Sequence, residues 1–204
     1  MITDHDRSGF IGASDVMYVI GNWKTKSWEK WWMTKLGIYR GKFENEYTQA
    51  GTNWEHKILD SLGLPDLEKD KQILMPEILL RVNLDGNTPN RIKECKTFKA
   101  DGKSHDAALL RSGQVPAKYR NQIQVQMYAS GIHEGDIVAY SLVDEDYRNY
   151  LRPVDPQRVR QIPVAYDQEW IELTYLPRHR VLADCLRRRV FPNVWAYQIP
   201  GHQA

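Results

Sequence analysis

An α/β fold, a mixed β-sheet flanked by helices, is what this 204-residue sequence predicts. Three observations carry that prediction. Apolar residues recur at helical spacing in 25–36, 54–62 and 117–130. Two apolar-rich runs lie either side of Gly86-Asn87-Thr88-Pro89-Asn90, a hairpin signature. The stretch 136–143 (DIVAYSLV) is apolar enough for a buried strand. Helical and strand periods alternate along the chain, so a sheet must form and helices must cover it.

The elements follow in order. Ser14 ahead of Asp15-Val16-Met17-Tyr18-Val19-Ile20 reads as an N-cap. Trp28, Trp31, Trp32 and Leu36 make the apolar face of a helix over 25–36 that stops at Gly37, and core packing is the expected role of its aromatic stripe. Residues 38–50 are polar and read as irregular until a helix opens at Gly51, with Trp54, Ile58, Leu59 and Leu62 on one side and Gly63 as its stop. The hairpin takes 71–84 and 91–99, and 100–117 reads as a long loop. A helix follows over 117–130, with Ile123, Met127 and Ser130 facing the core and Gly131 ending it. Tyr147 to Val154 is the expected neighbour of the 136–143 strand, and 167–190 reads as a helix interrupted near Pro177. The expectation is a single domain over 1–204, with a core at about 7–143 and a C-terminal strand and helical region at about 144–204.

Composition narrows the function. A hydrophobic fraction of 42% and a charged fraction of 26% are ordinary for a soluble globular protein. No run approaches the length of a membrane span, and the opening MITDHDRSG lacks the regions of a signal peptide. Cys95 and Cys185 make no disulfide framework, which fits a reducing cytoplasm, and two cysteines cannot ligate a four-cysteine iron–sulfur cluster. A net charge of +2 leaves any nucleic-acid surface to local clusters: Lys93, Lys96, Lys99 and Lys103, or Arg178, Arg180, Arg187, Arg188 and Arg189, the latter read as the polar face of a C-terminal helix.

The chemistry concentrates in the hairpin. Asp85 falls near the end of one strand, and Glu94 and Lys96, two apart and so on one face, fall on the next. Two carboxylates beside an ammonium suit a hard divalent ion that takes oxygen ligands, together with a cation that polarises a water near a phosphate. That is the chemistry of phosphodiester hydrolysis.

This spacing resembles the PD-(D/E)xK nuclease core, and four further segments narrow the resemblance. Gly51-Thr52-Asn53-Trp54-Glu55 opens a helix, and Tyr119-Arg120-Asn121-Gln122 resembles the Tyr-x-x-Gln helix of such sites. Arg7-Ser8-Gly9-Phe10-Ile11-Gly12-Ala13-Ser14-Asp15 is similar to the opening of the YqaJ-type viral recombinases and phage lambda exonuclease, and Trp23 to Gly37 resembles the helix that follows. The resemblance covers roughly 7–143 with its blocks in order. It implies that Asp85, Glu94 and Lys96 are the catalytic core, that Glu55 supports the metal, and that Tyr119 and Gln122 line the site. It implies that Arg7, Ser14 and Asn83 hold a 5′-terminal phosphate, Asn83 departing from a family pattern that favours a small hydroxyl residue. It further implies Mg²⁺ (one or two ions, with Mn²⁺ able to substitute), double-stranded DNA ends as substrate, 5′-to-3′ degradation, a homotrimer ring, a single-strand annealing partner, and a phage or prophage gene acting in the host cytoplasm.

The same residues admit other readings. Asp4-x-Asp6-x-Ser8-Gly9-x-Ile11-x3-Asp15 matches an EF-hand loop, but too few residues precede it for an incoming helix and no second loop pairs with it. His5, His56, His105, His133, His179 and His202 show no metal-ligand spacing, and the chain has no phosphate-binding P-loop. A site-specific endonuclease and a catalytically silent DNA-binding module with the same core are the alternatives to an exonuclease.

Overall fold

A computed structural model of the chain describes residues 8–39 and 46–193. A six-stranded mixed sheet is ordered β1-β3-β4-β5-β6, with β2 also paired to β3. Its strands are β1 (Ile11–Gly12), β2 (Glu68–Met75), β3 (Leu80–Thr88), β4 (Arg91–Lys99), β5 (Glu134–Leu142) and β6 (Val159–Ala165). The helices are α1 (Val16–Ile20), α2 (Lys26–Lys35), α3 (Glu46–Asp60), α4 (His105–Arg111), α5 (Ala117–Ser130), α6 (Asp144–Arg148), α7 (Gln168–Trp170) and α8 (Leu176–Arg187).

β5 shows why both faces of the sheet are covered. Ile137 and Ala139 pack with Ile123 and Met127 of α5. Val138, Tyr140 and Leu142 pack instead with Ala50, Trp54 and Ile58 of α3. Alternate side chains of a strand point to opposite faces, so a strand apolar at successive positions needs a helix on each side. The Trp54 indole also donates to the Asp146 carbonyl at 3.0 Å, fixing α3 against α6.

The aromatic stripe of α2 is core, as expected: Trp28, Trp31 and Trp32 are all buried. Thr25 caps that helix by accepting from the Trp28 amide at 3.2 Å, and Gly37 follows in the left-handed conformation at φ 74°. Gly131 ends α5 in the same way.

Several boundaries differ from expectation. α3 begins at Glu46 rather than at Gly51, because the buried stripe Trp54 and Ile58 extends four residues back to Ala50. The run 71–84 is not one strand: it turns after Met75 at Pro76 and forms a separate β2–β3 hairpin with Met75 opposite Leu80. The segment 100–117 contains α4, capped by Ser104 at 3.2 Å from the Ala107 amide and anchored by buried Ala107 and Leu110. β5 is flanked by β6, not by 147–154, where α6 and an irregular stretch lie. β6 carries Pro163, which an edge strand tolerates. Ser14 sits inside a 3-10 turn, Ala13–Asp15, and the Asp15 carboxylate, not the Ser14 hydroxyl, accepts the Gly12 amide at 2.7 Å.

The C-terminal helical stretch carries a π turn over Ile171–Tyr175, directly ahead of Pro177 at the start of α8. Proline offers no N–H to the preceding turn, and widening that turn accommodates the gap. Within it the Tyr175 hydroxyl meets His179 Nδ1 at 3.0 Å, and His179 Nε2 meets the Ile78 carbonyl at 2.9 Å. Burial pulls the His179 pKa down from 6.5 to about 4. The unfolded chain therefore takes up a proton as pH falls through 6.5, while the folded chain resists until about pH 4. Urea unfolding followed from pH 7 to pH 4 is expected to show about 3 kcal/mol of stability lost to this group. That loss is expected to be absent from His179→Gln.

Candidate active site

The β3–β4 ladder is short: it pairs Gly86 with Lys93, Asn87 with Ile92 and Thr88 with Arg91. Beyond it the strands diverge. The start of β3 pairs with β1, and β4 continues against β5 alone on its other edge. The open edge of β4 still has backbone donors to satisfy. The Cys95 amide finds the Asp85 carboxylate, at 2.8 Å from Oδ2. Asp85 thus stands where the sheet opens, one step from the last ladder pair and across from Glu94.

Glu94 is fully buried. Its Oε1 accepts from Lys96 Nζ and from Gln122 Nε2, and its Oε2 accepts from Gln126 Nε2 at 2.6 Å. Gln126 also donates to the Asn83 carbonyl at 3.1 Å, tying α5 to β3. The Lys96 ammonium lies 5.3 Å from the Tyr119 ring centroid, and Lys118, paired with Asp106 at 2.5 Å, lies 4.7 Å from the same ring.

Electrostatics bind the set together. Burial, then Glu94 and Glu55, push the Asp85 carboxyl well above the usual carboxylate range. Burial and then Glu94 raise Glu55 on α3 as well. Burial works against charge on Lys96, but the Glu94 and Asp85 carboxylates outweigh it and hold the pKa above the ordinary lysine range. Lys96 is therefore an ammonium, and one cation faces three carboxylates. That imbalance, with an all-oxygen donor set, fits a divalent ion such as Mg²⁺.

The structure brings Glu55, Asp85, Glu94, Lys96, Tyr119 and Gln122 together. Asn83 is exposed two residues before Asp85 and accepts from Gln72 at 3.1 Å. Ser14 is exposed near the β1 end of β3, where Gly12 pairs with Arg81. Arg7 lies outside the described residues, as do Asp4 and Asp6 of the calcium-loop pattern. Asp15, the last position of that pattern, is spent on Lys35 at 2.5 Å, on the Trp31 indole and on the Gly12 amide.

Two residues escaped the sequence reading. Gln126, one helical turn past Gln122, holds the second oxygen of Glu94; the i, i+4 spacing was the available signal. His56, read as unpartnered, lies 2.9 Å from Asp70, a neighbour that only the β2–β3 pairing brings near. The expected basic surface also shrinks. Lys93 is buried against Asp136 at 2.6 Å, Lys99 pairs with Asp144 at 3.0 Å, and Arg178 is buried and donates to the Ile20 carbonyl.

A mixed sheet between helices, opened at an Asp and a Glu-x-Lys, defines the PD-(D/E)xK class of folds. The model of the YqaJ-like viral recombinase domain matches residues 4–133. The chain belongs to that family. The structure is similar to LHK-Exo in complex with dAMP, with a TM-score of 0.68 at 18% identity over 88% of this chain and 89% of that one. It is similar to an alkaline exonuclease (LHK-Exo) from Laribacter hongkongensis, with a TM-score of 0.62 at 20% identity over 89% and 93%. A phage related exonuclease from Haemophilus somnus 129PT aligns with a TM-score of 0.61 at 18% identity over 87% and 92%. No curated protein sequence matches the chain. Among the described residues, no helix is long and apolar enough to cross a membrane.

Proposed function

We propose that this chain is a Mg²⁺-dependent exonuclease that enters at duplex DNA ends, degrades the 5′-phosphorylated strand toward its 3′ end to mononucleotides, and leaves a 3′ single strand for annealing. The observation that carries the reading is the buried carboxylate set at the β3–β4 opening, with a single ammonium among three acids. A divalent ion bound there supplies an acidified water and offsets charge on the scissile phosphate.

The residues divide the remaining work. Asp85, Glu94 and Glu55 offer the oxygens. The Cys95 amide pins one oxygen of Asp85, so the carboxylate cannot swing away. Gln122 and Gln126 fix Glu94. Lys96, protonated and steadied by the Tyr119 ring face, donates to the attacking water or to a phosphate oxygen as charge develops. Ser14 and Asn83, with Arg7, hold the terminal phosphate. A ring-shaped homotrimer and a single-strand annealing partner complete the reading, which places the protein in phage-type recombination.

The test uses purified protein, Mg²⁺ and three DNAs: linear duplex with 5′-phosphate, the same duplex with 5′-hydroxyl, and closed circular duplex. Mononucleotides are expected from the phosphorylated ends, with circles intact. Cut circles overturn the reading in favour of an endonuclease, and no cleavage of any substrate favours a binding module. Ser14→Ala is expected to reduce the preference for 5′-phosphate over 5′-hydroxyl by about tenfold, the worth of one hydrogen bond to a charged group.

A further inference from the structure

We propose that Glu55, His56 and Asp70 form a second cation site, beside the Asp85–Glu94 pair, that takes a borderline transition-metal ion such as Zn²⁺ in preference to Mg²⁺. Their donor atoms all lie within 4.8 Å of one another. His56 Nε2 is 2.9 Å from Asp70 Oδ2, yet that nitrogen is shielded from solvent and has no hydrogen bond of acceptable geometry. A ring nitrogen and a carboxylate oxygen this close, with Glu55 in reach of both, can be taken as ligands by one ion.

Two backbone observations support this independently. Asp70 adopts φ 59°, the left-handed region, in the middle of β2. A non-glycine residue held there stores strain, which concentrates at ligand clamps. The register pairs Lys69 with Gly86 and Lys71 with Leu84, so Asp70 falls opposite Asp85 on β3. All three residues are partly exposed, which places the cluster at the edge of the core.

The imidazole sets the preference. Carboxylate and water ligands suit Mg²⁺, whereas adding an imidazole moves the site toward Zn²⁺. Three protein ligands with a fourth position left to water is a common zinc arrangement. Glu55, with two oxygens, serves both sites, so the inference rests on the reading of Asp85 and Glu94 as the Mg²⁺ site.

The test is ZnCl₂ titrated into the whole chain, without DNA, against a chromophoric chelator and in millimolar Mg²⁺ to fill the first site. Wild type is expected to retain one Zn²⁺ per chain. His56→Ala and Asp70→Asn are each expected to weaken it roughly tenfold or more, and Glu94→Gln to leave it unchanged. Thermal melts of the metal-free variants show that each is folded. Zinc uptake absent in Mg²⁺, or unchanged in His56→Ala, or lost only in Glu94→Gln, overturns the proposal. Since no DNA is cleaved in this assay, an inactive protein that holds zinc through His56 refutes only the nuclease reading. An active one that releases zinc to Mg²⁺ refutes only the second site.

Discussion

Lys96→Ala is expected to reduce cleavage by about 10³-fold, the upper range for removing one preorganised donor from a buried site. Duplex binding is expected to change by less than about tenfold, because a single buried cation contributes little to a phosphate-backbone interface built from many. The structure also gives the variant a second signature. Lys96 is the cation that Glu94 and Asp85 feel most closely, and removing it leaves buried carboxylates uncompensated. The metal-free variant should therefore melt below wild type, and Mg²⁺ should recover part of the difference. Lys96→Arg is not expected to rescue turnover, since a planar fork does not reproduce a compact ammonium between Glu94 and the Tyr119 ring. Unchanged turnover in Lys96→Ala removes the residue from the mechanism, whatever happens to stability.

The parts of the site that sequence made legible share one property: they are encoded locally. Glu94 and Lys96 are two apart on one strand, and Tyr119 and Gln122 lie within one helical turn, so periodicity alone places each pair together. Gln126 is equally local, one turn past Gln122, but a glutamine at that spacing carries no signal of its own until Glu94 is placed beneath it. The Asp15 hub and the His56–Asp70 pair were illegible for a different reason. Lys35 reaches Asp15 from a separate helix, and His56 on α3 reaches Asp70 on β2, so each depends on packing. The fold divided along the same line. Elements with a strong local signal, the aromatic stripe of α2 and the continuous apolar run of β5, fell where expected, whereas β6, with a proline and half-exposed residues, shows no pattern until it lies against β5. Likewise α3 starts early because Ala50, a weak hydrophobic signal, is wholly buried beneath it.

Asp85→Asn is expected to abolish Mg²⁺-supported cleavage and, in the same protein, to raise the melting temperature of the metal-free form. The two effects have one cause. Burial and the neighbouring Glu94 and Glu55 disfavour the Asp85 anion in the folded state, so its folded pKa lies well above the ordinary 3.8 of an aspartate. At neutral pH the folded chain bears that penalty and the unfolded chain does not. Acidification relieves it, with stability gained from this group as pH falls through the raised folded pKa toward 3.8. Asparagine removes the charge yet can still accept the Cys95 amide, so the opening between β3 and β4 keeps its one tie. In a domain of this size about 1 kcal/mol moves the melting temperature by about 2–4 °C, well within calorimetric reach. Wild type should rise in melting temperature on adding Mg²⁺, because a ligand that binds only the folded state stabilises it. Asp85→Asn should show a much smaller rise, and its gain on mild acidification should vanish. A structural role alone predicts the reverse: a lower melting temperature without metal and an intact response to Mg²⁺. The sign of the metal-free shift therefore separates a carboxylate kept for an ion from one kept for the fold.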